Sequence, residues 1–226
     1  MVFIRIASSL LILLFEFAIY FLSLIGPVLW LSSHWNVSAP LLLAMVMLGF
    51  LWAGLTFLVL LVIMKRLFFP RIPTGHVAAR SRDAALWFYA VSLISIFERS
   101  PFRPFAEVGV MGPLFYSGMG GRIPVSTAIG MHAILFEPWF VQMGENVGIG
   151  AQAIITGHVA VGEEVFLGNV VIGDNVLIGA RSLIFPEVRI GNNARVGAGA
   201  LVTRGTVIPD GETWVGVPAR PLKKKS

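Results

Sequence analysis

The chain has 226 residues, of which 56% are hydrophobic and only 13% are charged, so the composition is unlike that of an ordinary soluble domain. The absence of cysteine excludes a thiolate nucleophile, an acylated cysteine intermediate and a zinc ion bound by cysteine. The net charge of +5 is modest and lies largely beside apolar segments, which predicts contact with a lipid bilayer and an anionic ligand, and no nucleic-acid partner.

Two long apolar segments begin the chain. Residues 6–33 contain one charged residue, Glu16, and residues 40–64 contain none. Each run exceeds the roughly 20 residues that cross the hydrocarbon layer, so we predict a transmembrane helical hairpin within residues 1–68. Basic residues precede the first run at Arg5 and follow the second from Lys65, whereas the connector has none. This asymmetry predicts that both termini, and everything after the second span, face the cytoplasm.

Glu16 lies inside the first predicted span. A carboxylate near the centre of a spanning helix costs about 2.5 to 3.5 kcal/mol on insertion scales, so such a residue is normally protonated, paired or functional. We expect a protonated Glu16 that hydrogen-bonds across helices; contact with a lipid acceptor and packing in an oligomer are the alternatives.

Residues 69–120 are predicted to connect the hairpin to a second domain. A break at Pro70–Gly75 is followed by an apolar stretch from Ala84 to Phe97, flanked on both sides by charged residues. The stretch is too short to span the bilayer. It predicts a helix that lies at the membrane interface or is packed between the membrane and the second domain. A helix buried within that domain is the alternative.

From residue 123 onward an aliphatic residue recurs at every sixth position, often followed by glycine. This period differs from the 3.6 of a helix and the 2 of a simple strand, and it predicts a β-helix of about five coils over residues 121–222. The six-residue spacing has two irregularities: two extra residues before Met143 and one missing residue before Ile172. After the repeat, residues 223–226 form a basic tail. The repeat positions are Ile123, Ile129, Leu135, Met143, Ile149, Ile155, Val161, Leu167, Ile172, Ile178, Ile184, Ile190, Val196, Val202 and Ile208.

His158 occupies the fourth position of its six-residue unit, where the side chain leaves the core at a turn. Counting one and two coils onward places Asn175 and Asn193 in the same column. Asparagine is common at such turns because it tolerates the left-handed backbone conformation. Histidine has no comparable structural reason to be there, so His158 is the candidate catalytic residue.

Several runs resemble the hexapeptide-repeat acyltransferases, in particular their galactoside and maltose O-acetyltransferase branch: VIGDNVLIGA at 171–180, FPEVRIG at 185–191, VGAGALVT at 196–203 and GVPAR at 216–220. The resemblance implies a left-handed parallel β-helix, a homotrimer with active sites between neighbouring β-helices, and transfer from acetyl-CoA or another acyl-CoA to a hydroxyl. Those relatives are soluble. The membrane hairpin therefore suggests a glycan, a glycolipid or another membrane-associated acceptor.

The resemblance also implies roles for individual residues. His158 matches the histidine that removes the proton of the acceptor hydroxyl, without an acyl-enzyme. His132 and Asn175 are expected near the acceptor, and Glu137 is expected either to orient the imidazole or to be a solvated glutamate. Six residues match the donor site, the small ones along the pantetheine groove and the others at the phosphate end: Ala180, Ala198, Gly199, Thr203, Arg204 and Arg220.

Two other hypotheses compete with acyl transfer. A zinc-dependent carbonic anhydrase on the same scaffold needs three histidines, whereas the repeat holds only His132 and His158, so no metal is expected. A non-catalytic, membrane-attached β-helix that serves as an assembly scaffold is the non-enzymatic alternative. Fold alone does not separate these functions, so the side chains around His158 decide between them.

Overall fold

The computed structural model describes the backbone of residues 2–222 and the side chains of residues 10–222. The predicted basic tail, residues 223–226, lies outside the described residues. Along the chain, two long helices come first, then one strand and two shorter helices, and finally a series of short strands.

The first two helices form an antiparallel hairpin: α1 (Val2–Ser32) and α2 (Ala39–Phe68). Tyr20 stacks on Phe57, and Trp52 lies against Gly26. Both helices are long and apolar enough to cross a membrane. Their outer faces keep large apolar side chains exposed, as at Phe17 with 71%, which is typical of a surface that faces lipid.

Strand β1 (Gly75–Ala78) and helix α3 (Arg82–Arg99) follow the hairpin, and α3 begins where the Ser81 hydroxyl accepts a hydrogen bond from the Ala84 amide. One face of α3 is buried, with Ile94 and Phe97 nearly inaccessible. This face belongs to one hydrophobic core with α2 and the β-helix. The predicted helix is therefore packed between the apolar helical hairpin and the β-helix.

Helix α3 also provides the partner of Glu16. The Arg99 Nη2 group donates a hydrogen bond to Glu16 Oε2 at 3.0 Å. A bond across helices was expected at this position, and the structure forms it with an arginine side chain. The Glu16 carboxylate in α1 therefore has a cationic partner, and the pair ties the end of α3 to the first helix.

A 3₁₀ turn (Arg103–Glu107) and helix α4 (Met111–Gly118) lead into the β-helix, and a second 3₁₀ turn, Pro138–Phe140, interrupts its first coil. In chain order the strands are β2 (Ala128–Ile129), β3 (Ile134–Leu135), β4 (Val141–Met143), β5 (Gly148–Ile149), β6 (Ile154–Ile155), β7 (His158–Val161), β8 (Glu164–Leu167), β9 (Val170–Ile172), β10 (Leu177–Ile178), β11 (Leu183–Ile184), β12 (Arg189–Ile190), β13 (Arg195–Val196), β14 (Leu201–Val202), β15 (Val207–Ile208), β16 (Thr213–Val215) and β17 (Arg220–Pro221).

Three parallel sheets form the faces of a left-handed β-helix. The first face contains β2, β5, β10, β13 and β16, with β17 antiparallel at its edge; the second contains β3, β6, β11 and β14; the third contains β4, β9, β12 and β15. Two faces have four strands each, so residues 2–222 contain four complete coils, and β16 begins a fifth. This agrees with the predicted size of the stack.

The aliphatic repeat positions form the core of the β-helix, as the exposures of 0% at Ile178 and Val202 show. The glycines that follow them are required by close stacking. A Cβ atom on Gly179 would lie 2.4 Å from the Ala198 amide nitrogen of the next coil. Glycine lacks this atom and allows the coils to approach.

One part of the repeat interpretation is wrong. Strands β7 and β8 form an antiparallel hairpin outside the coil, and β8 pairs with β1 on its other side. Val161, predicted to be in the core, is 46% exposed, and Leu167 is buried in a separate cluster with Val77 of β1. The apparent one-residue deletion is thus an inserted hairpin, residues 158–167, between Ile155 and Ile172. We refer to it as the inserted hairpin.

The close stacking at Gly179 leads to a stability prediction. Gly179→Ala is expected to lower the free energy of unfolding by about 1–3 kcal/mol, because every nearby atom belongs to the backbone of the next coil. Gly148→Ala is the matched control, since its new Cβ would meet only the movable end of Leu177 at 3.1 Å. Thermal unfolding of the detergent-solubilised protein measures both, and equal losses would contradict the stacking argument.

Candidate active site

His158 is the first residue of the inserted hairpin, at the corner where the second face ends. We call this corner, which also contains Glu137 of the preceding coil, the second corner. The imidazole lies between two aromatic rings: its centroid is 5.0 Å from that of Trp87 on α3 and 6.1 Å from that of Phe136. The side chain of His158 is 31% exposed, so it is held in place without being enclosed.

The imidazole is paired with a buried carboxylate. Its Nδ1 atom lies 2.6 Å from Glu137 Oε1, and Glu137 is fully buried. The register Leu135↔Ile155 between β3 and β6 places Glu137 directly beside Gly157 of the next coil. The expected orienting contact is therefore present geometrically, and the alternative of a solvated glutamate is wrong.

The Glu137 carboxylate accepts four hydrogen bonds, two on each oxygen. Oε1 accepts from the Trp87 indole at 3.0 Å and from His158 Nδ1, and Oε2 accepts from the Gly157 amide at 2.8 Å and the Thr156 hydroxyl at 3.3 Å. An ionised carboxylate offers about four lone-pair positions, so these donors saturate it. A buried charge is tolerated only when it is paired and hydrogen-bonded in this way.

The pairing determines which imidazole nitrogen is free. A carboxylate only accepts hydrogen bonds, so Nδ1 of His158 carries the proton. Within the described residues, Nε2 of His158 makes no hydrogen bond, and it retains a lone pair on a partly exposed ring. This is the arrangement of a general base, oriented by one nitrogen and reactive at the other.

Trp87 was not recognised from the sequence as part of the site. It lies in an apolar helical stretch, where an aromatic residue normally indicates packing, and it is distant in sequence from both Glu137 and His158. Only the position of α3 against the second corner brings its indole N–H to Glu137. No local pattern signals this contact.

Asn175 lies at a different corner from His158. It stacks between Asn146 and Asn193 where the third face turns into the first, and all three have φ between 55° and 57°. The predicted column with His158 is wrong, because the count ran through the inserted hairpin. The register Ile155↔Ile184 instead places Glu187 at the second corner, one coil after His158.

His132 lies at the corner between the first and second faces, which we call the first corner, with φ of 58°. Its backbone N–H donates to Glu107 Oε1 at 2.9 Å, and its side chain is 58% exposed. Glu107 also pairs with the buried Arg103, which binds Glu98. Burial raises the pKa of Glu98, while the hydrogen bond from Arg103 opposes that shift. His132 thus belongs to this ionic cluster and does not contact the His158 pair.

The six predicted donor residues divide between two corners and the last strand. Ala180, Ala198 and Gly199 stack at the first corner, where the Gly199 amide donates to the Ala180 carbonyl at 2.8 Å. The other three lie elsewhere: Thr203 and Arg204 at the second corner, and Arg220, exposed, on β17. Five of the six predicted donor residues therefore flank the second face, with His158 at one of its two corners, whereas Arg220 lies on the edge strand of the first face.

Arg204 contacts the inserted hairpin. Its guanidinium lies 3.3 Å from the ring centroid of Phe166, and its Nε donates to Glu187 Oε2 at 2.9 Å. These contacts hold the arginine above the corner that contains His158. Its other guanidinium nitrogens make no hydrogen bond within residues 10–222.

Two cavities lie on opposite sides of the inserted hairpin. One, of about 500 Å³, lies between α3 and the hairpin and is bounded by Trp87, Phe88 and Val165. The other, of about 480 Å³, lies over the third face beside Phe166. Cross-strand pairing of β7 with β8 puts His158 and Val165 on the same side of the hairpin. The imidazole therefore lies on the side of the first, largely apolar cavity, next to its lining residue Trp87.

Known proteins share this fold. Residues 169–204 match a family model described as the hexapeptide repeat of succinyl-transferase. A maltose O-acetyltransferase from Clostridium difficile 630 is similar with a TM-score of 0.51 and 20% identity, over 67% of this chain and 94% of that one. The likeness shows the hexapeptide-repeat β-helix fold. No curated protein matches the chain by sequence.

Two further solved structures are similar to this chain. A hexapeptide-repeat containing acetyltransferase from Vibrio cholerae has a TM-score of 0.46 and 20% identity, over 66% of this chain and 94% of that one. A mutant of AntD, an N-acyltransferase from Bacillus cereus in complex with dTDP and coenzyme A, has a TM-score of 0.40 and 27% identity over 44% of this chain. This chain spans 61% of the length of that AntD structure.

Trp87→Phe tests whether the indole N–H stabilises the buried carboxylate. The substitution keeps an aromatic ring beside His158 but leaves Glu137 one donor short, which is expected to cost about 1–3 kcal/mol of folding free energy. Trp35→Phe is the matched control, since Trp35 is 71% exposed. Thermal unfolding compares the two variants. Identical midpoints for both and the parent protein would show that the Trp87 hydrogen bond is not needed.

Proposed function

We propose that this protein is a membrane-anchored, CoA-dependent acyltransferase. It moves an acyl group, an acetyl group in the simplest case, from acyl-CoA to a hydroxyl of a glycan, a glycolipid or another membrane-associated acceptor. The observation that carries the proposal is the His158 imidazole, whose Nδ1 is held 2.6 Å from a fully buried carboxylate while Nε2 stays free.

The proposed reaction is a direct transfer. Nε2 of His158 removes the proton of the acceptor hydroxyl as the oxygen attacks the thioester carbonyl, which forms the new ester bond. The carbon–sulfur bond breaks, and the imidazolium returns the proton to the departing CoA thiolate. Because the chain has no cysteine, there is no thiol to form an acyl-cysteine intermediate. General-base catalysis of this kind contributes typically about 10²- to 10⁴-fold.

Glu137 acts in this proposal as a positioning residue. It touches neither substrate, but it holds the Nδ1–H tautomer and stabilises the positive charge that develops on His158. The backbone amide of Gly157 and the Thr156 hydroxyl prevent the carboxylate from turning away. An assembly scaffold would have no use for a buried carboxylate that orients a histidine.

The donor assignment rests on the two corners that border the second face. Ala180, Ala198 and Gly199 leave the first corner without bulky side chains, so an extended pantetheine chain can approach the backbone there. Arg204 and Arg220 have the planar guanidinium that suits phosphate. Since Ala180, Ala198 and Gly199 lie at a different corner of the chain from His158 and Arg204, a homotrimer that juxtaposes corners of neighbouring copies is part of the proposal.

The membrane placement rests on α1 and α2. They have the length and apolar outer surface of spanning helices, and the basic residues after α2 favour a cytoplasmic β-helix. This side is also where a soluble acyl-CoA is available. The apolar cavity between α3 and the inserted hairpin is lined by Trp87, which lies against His158, and in this proposal the membrane-associated acceptor approaches the imidazole from that side.

His158→Ala is expected to lower kcat for acyl transfer by about 10²- to 10⁴-fold, because it removes the proposed general base. The readout is a lost acyl increment, measured by mass spectrometry on lipids and glycans of cells that express the parent or the variant. A thiol-release assay with the purified protein and the identified acceptor then gives kcat. His76→Ala is the control, since this exposed histidine pairs with Glu164 on the far side of the hairpin.

Glu137→Gln separates positioning from packing in the same series. It should lower kcat with little change in KM for acyl-CoA, and the slope of kcat against pH should change, since the amide no longer stabilises the imidazolium. Full activity of His158→Ala would exclude His158 as the base. If the Glu137→Gln variant fails to fold, the activity of His158→Ala still tests whether His158 is the base.

The donor site is tested by Arg204→Ala and Arg220→Ala in one protein. Loss of two phosphate contacts is expected to raise KM for acyl-CoA about tenfold or more and to leave kcat nearly unchanged. Arg195→Ala is the control, because it makes the same substitution at an exposed arginine of the first face, outside the proposed donor site. Initial rates at varied acyl-CoA concentration measure the effect. An unchanged KM in the double variant would remove these arginines from the donor site.

A further inference from the structure

A basic cavity lies at the end of α2, where the second apolar helix leaves its candidate membrane span. Its volume is about 420 Å³, and Lys65, Arg66 and Arg71 line it together with Trp139 and Phe140. No acidic residue is among its lining residues within the described part of the chain. We call it the basic cavity.

Lys65 is the most constrained of the three cations. It is only 3% exposed, its Nζ donates to the Phe69 carbonyl at 2.7 Å, and it lies 4.8 Å from the ring centroid of Trp139. A carbonyl and a ring face attract the ammonium group but do not neutralise it. A buried charge without a counter-charge is costly, so this position favours a bound anion.

The other two cations are also without acidic partners. Arg66 donates to the carbonyls of Gly118 and Ser117, at 2.7 and 3.1 Å, which holds its guanidinium at the end of α4. None of the ion pairs within 4.0 Å among residues 10–222 involves Lys65, Arg66 or Arg71. The buried indole N–H of Trp139 also has no acceptor among these residues.

We propose that the basic cavity binds the phosphate group of a lipid headgroup. Three cations around one cavity provide the charge and the hydrogen-bond donors that phosphate requires. Two exposed apolar residues lie between Arg66 and Arg71 in the chain, Leu67 at 70% exposure and Phe68 at 58%. They favour a lipid over a free phosphate ion as the ligand. A lipid whose phosphate lies in the cavity can place its chains along this surface.

The basic cavity adjoins the candidate active site. Trp139 and Phe140 belong to the 3₁₀ turn that directly follows Glu137. The Phe140 ring also packs on Gly157, where a Cβ atom would lie 2.7 Å from its Cδ2 atom. One wall of the cavity is therefore built by the residues that position the Glu137–His158 pair.

This adjacency identifies the acceptor class, a step that rests on the acyltransferase function proposed above. A phosphate-linked lipid held in the basic cavity brings the group attached to its phosphate next to His158. The acceptor is then a lipid-linked molecule whose hydroxyl lies on the headgroup side of the phosphate. The cavity would hold the substrate at the membrane surface while the imidazole acts on its polar part.

Lipid binding can be measured without any catalytic assay. The full-length protein in detergent micelles is titrated with dioleoyl phosphatidic acid, or with dioleoylglycerol, which has the same chains and no phosphate. Native mass spectrometry counts the adducts. Arg71→Gln and Lys65→Met should each reduce the phosphatidic acid adduct about tenfold, since each removes a charged contact to phosphate. Arg82→Gln, the same loss of charge at the start of α3, should not.

The outcomes separate the sources of the phosphate. Equal adducts with both lipids, or adducts unchanged in Arg71→Gln, would overturn the proposal, even if Lys65→Met does not fold. Complete displacement by inorganic phosphate, with no lipid retained, would assign the cavity to a free phosphate group and overturn the lipid assignment. His158→Ala should keep the phosphatidic acid adduct while losing transfer, so failure of lipid binding and failure of catalysis are distinguishable.

Discussion

The buried carboxylate of Glu137 is the constraint on which the rest of the site depends. Removing a carboxylate from water costs several kcal/mol unless its lone pairs are all used, and here four donors use them. These donors come from α3 and from the coil that contains His158. The carboxylate is therefore stable only when the connecting helix and the β-helix are both in place. The imidazole of His158 is oriented by the same contacts that join the two parts of the chain.

The apolar helical hairpin and the β-helix are joined at several further points. Glu16 of α1 pairs with Arg99 at the end of α3, and Arg66 at the end of α2 binds the last carbonyls of α4. Lys65 lies against Trp139 of the first coil. In each contact a charged side chain of the two apolar helices meets a later part of the chain. The β-helix is thus held against the hairpin.

Much of the fold was predictable, because its signals are local. The apolar lengths of α1 and α2 and the six-residue period of the coils are both properties of short windows. The prediction was wrong where a strand found a distant partner: β8 pairs with β1, about ninety residues earlier in the chain, and it continues the spacing of the repeat only by coincidence. Counting through that hairpin also moved Asn175 into the wrong column. A period reports spacing, whereas a strand joins the sheet that supplies its hydrogen bonds.

The sequence by itself determined the apolar helices, the β-helix and the choice of His158. A histidine at a turn of the repeat is unusual, and this can be recognised without any knowledge of its surroundings. Only the tertiary structure decided that Glu137 is buried rather than solvated, that Trp87 completes its hydrogen bonds, and that Lys65, Arg66 and Arg71 surround one cavity. The physical reason is the same in each case. Burial and pairing of a polar side chain depend on which remote segments pack around it, and no local pattern in the sequence contains that information.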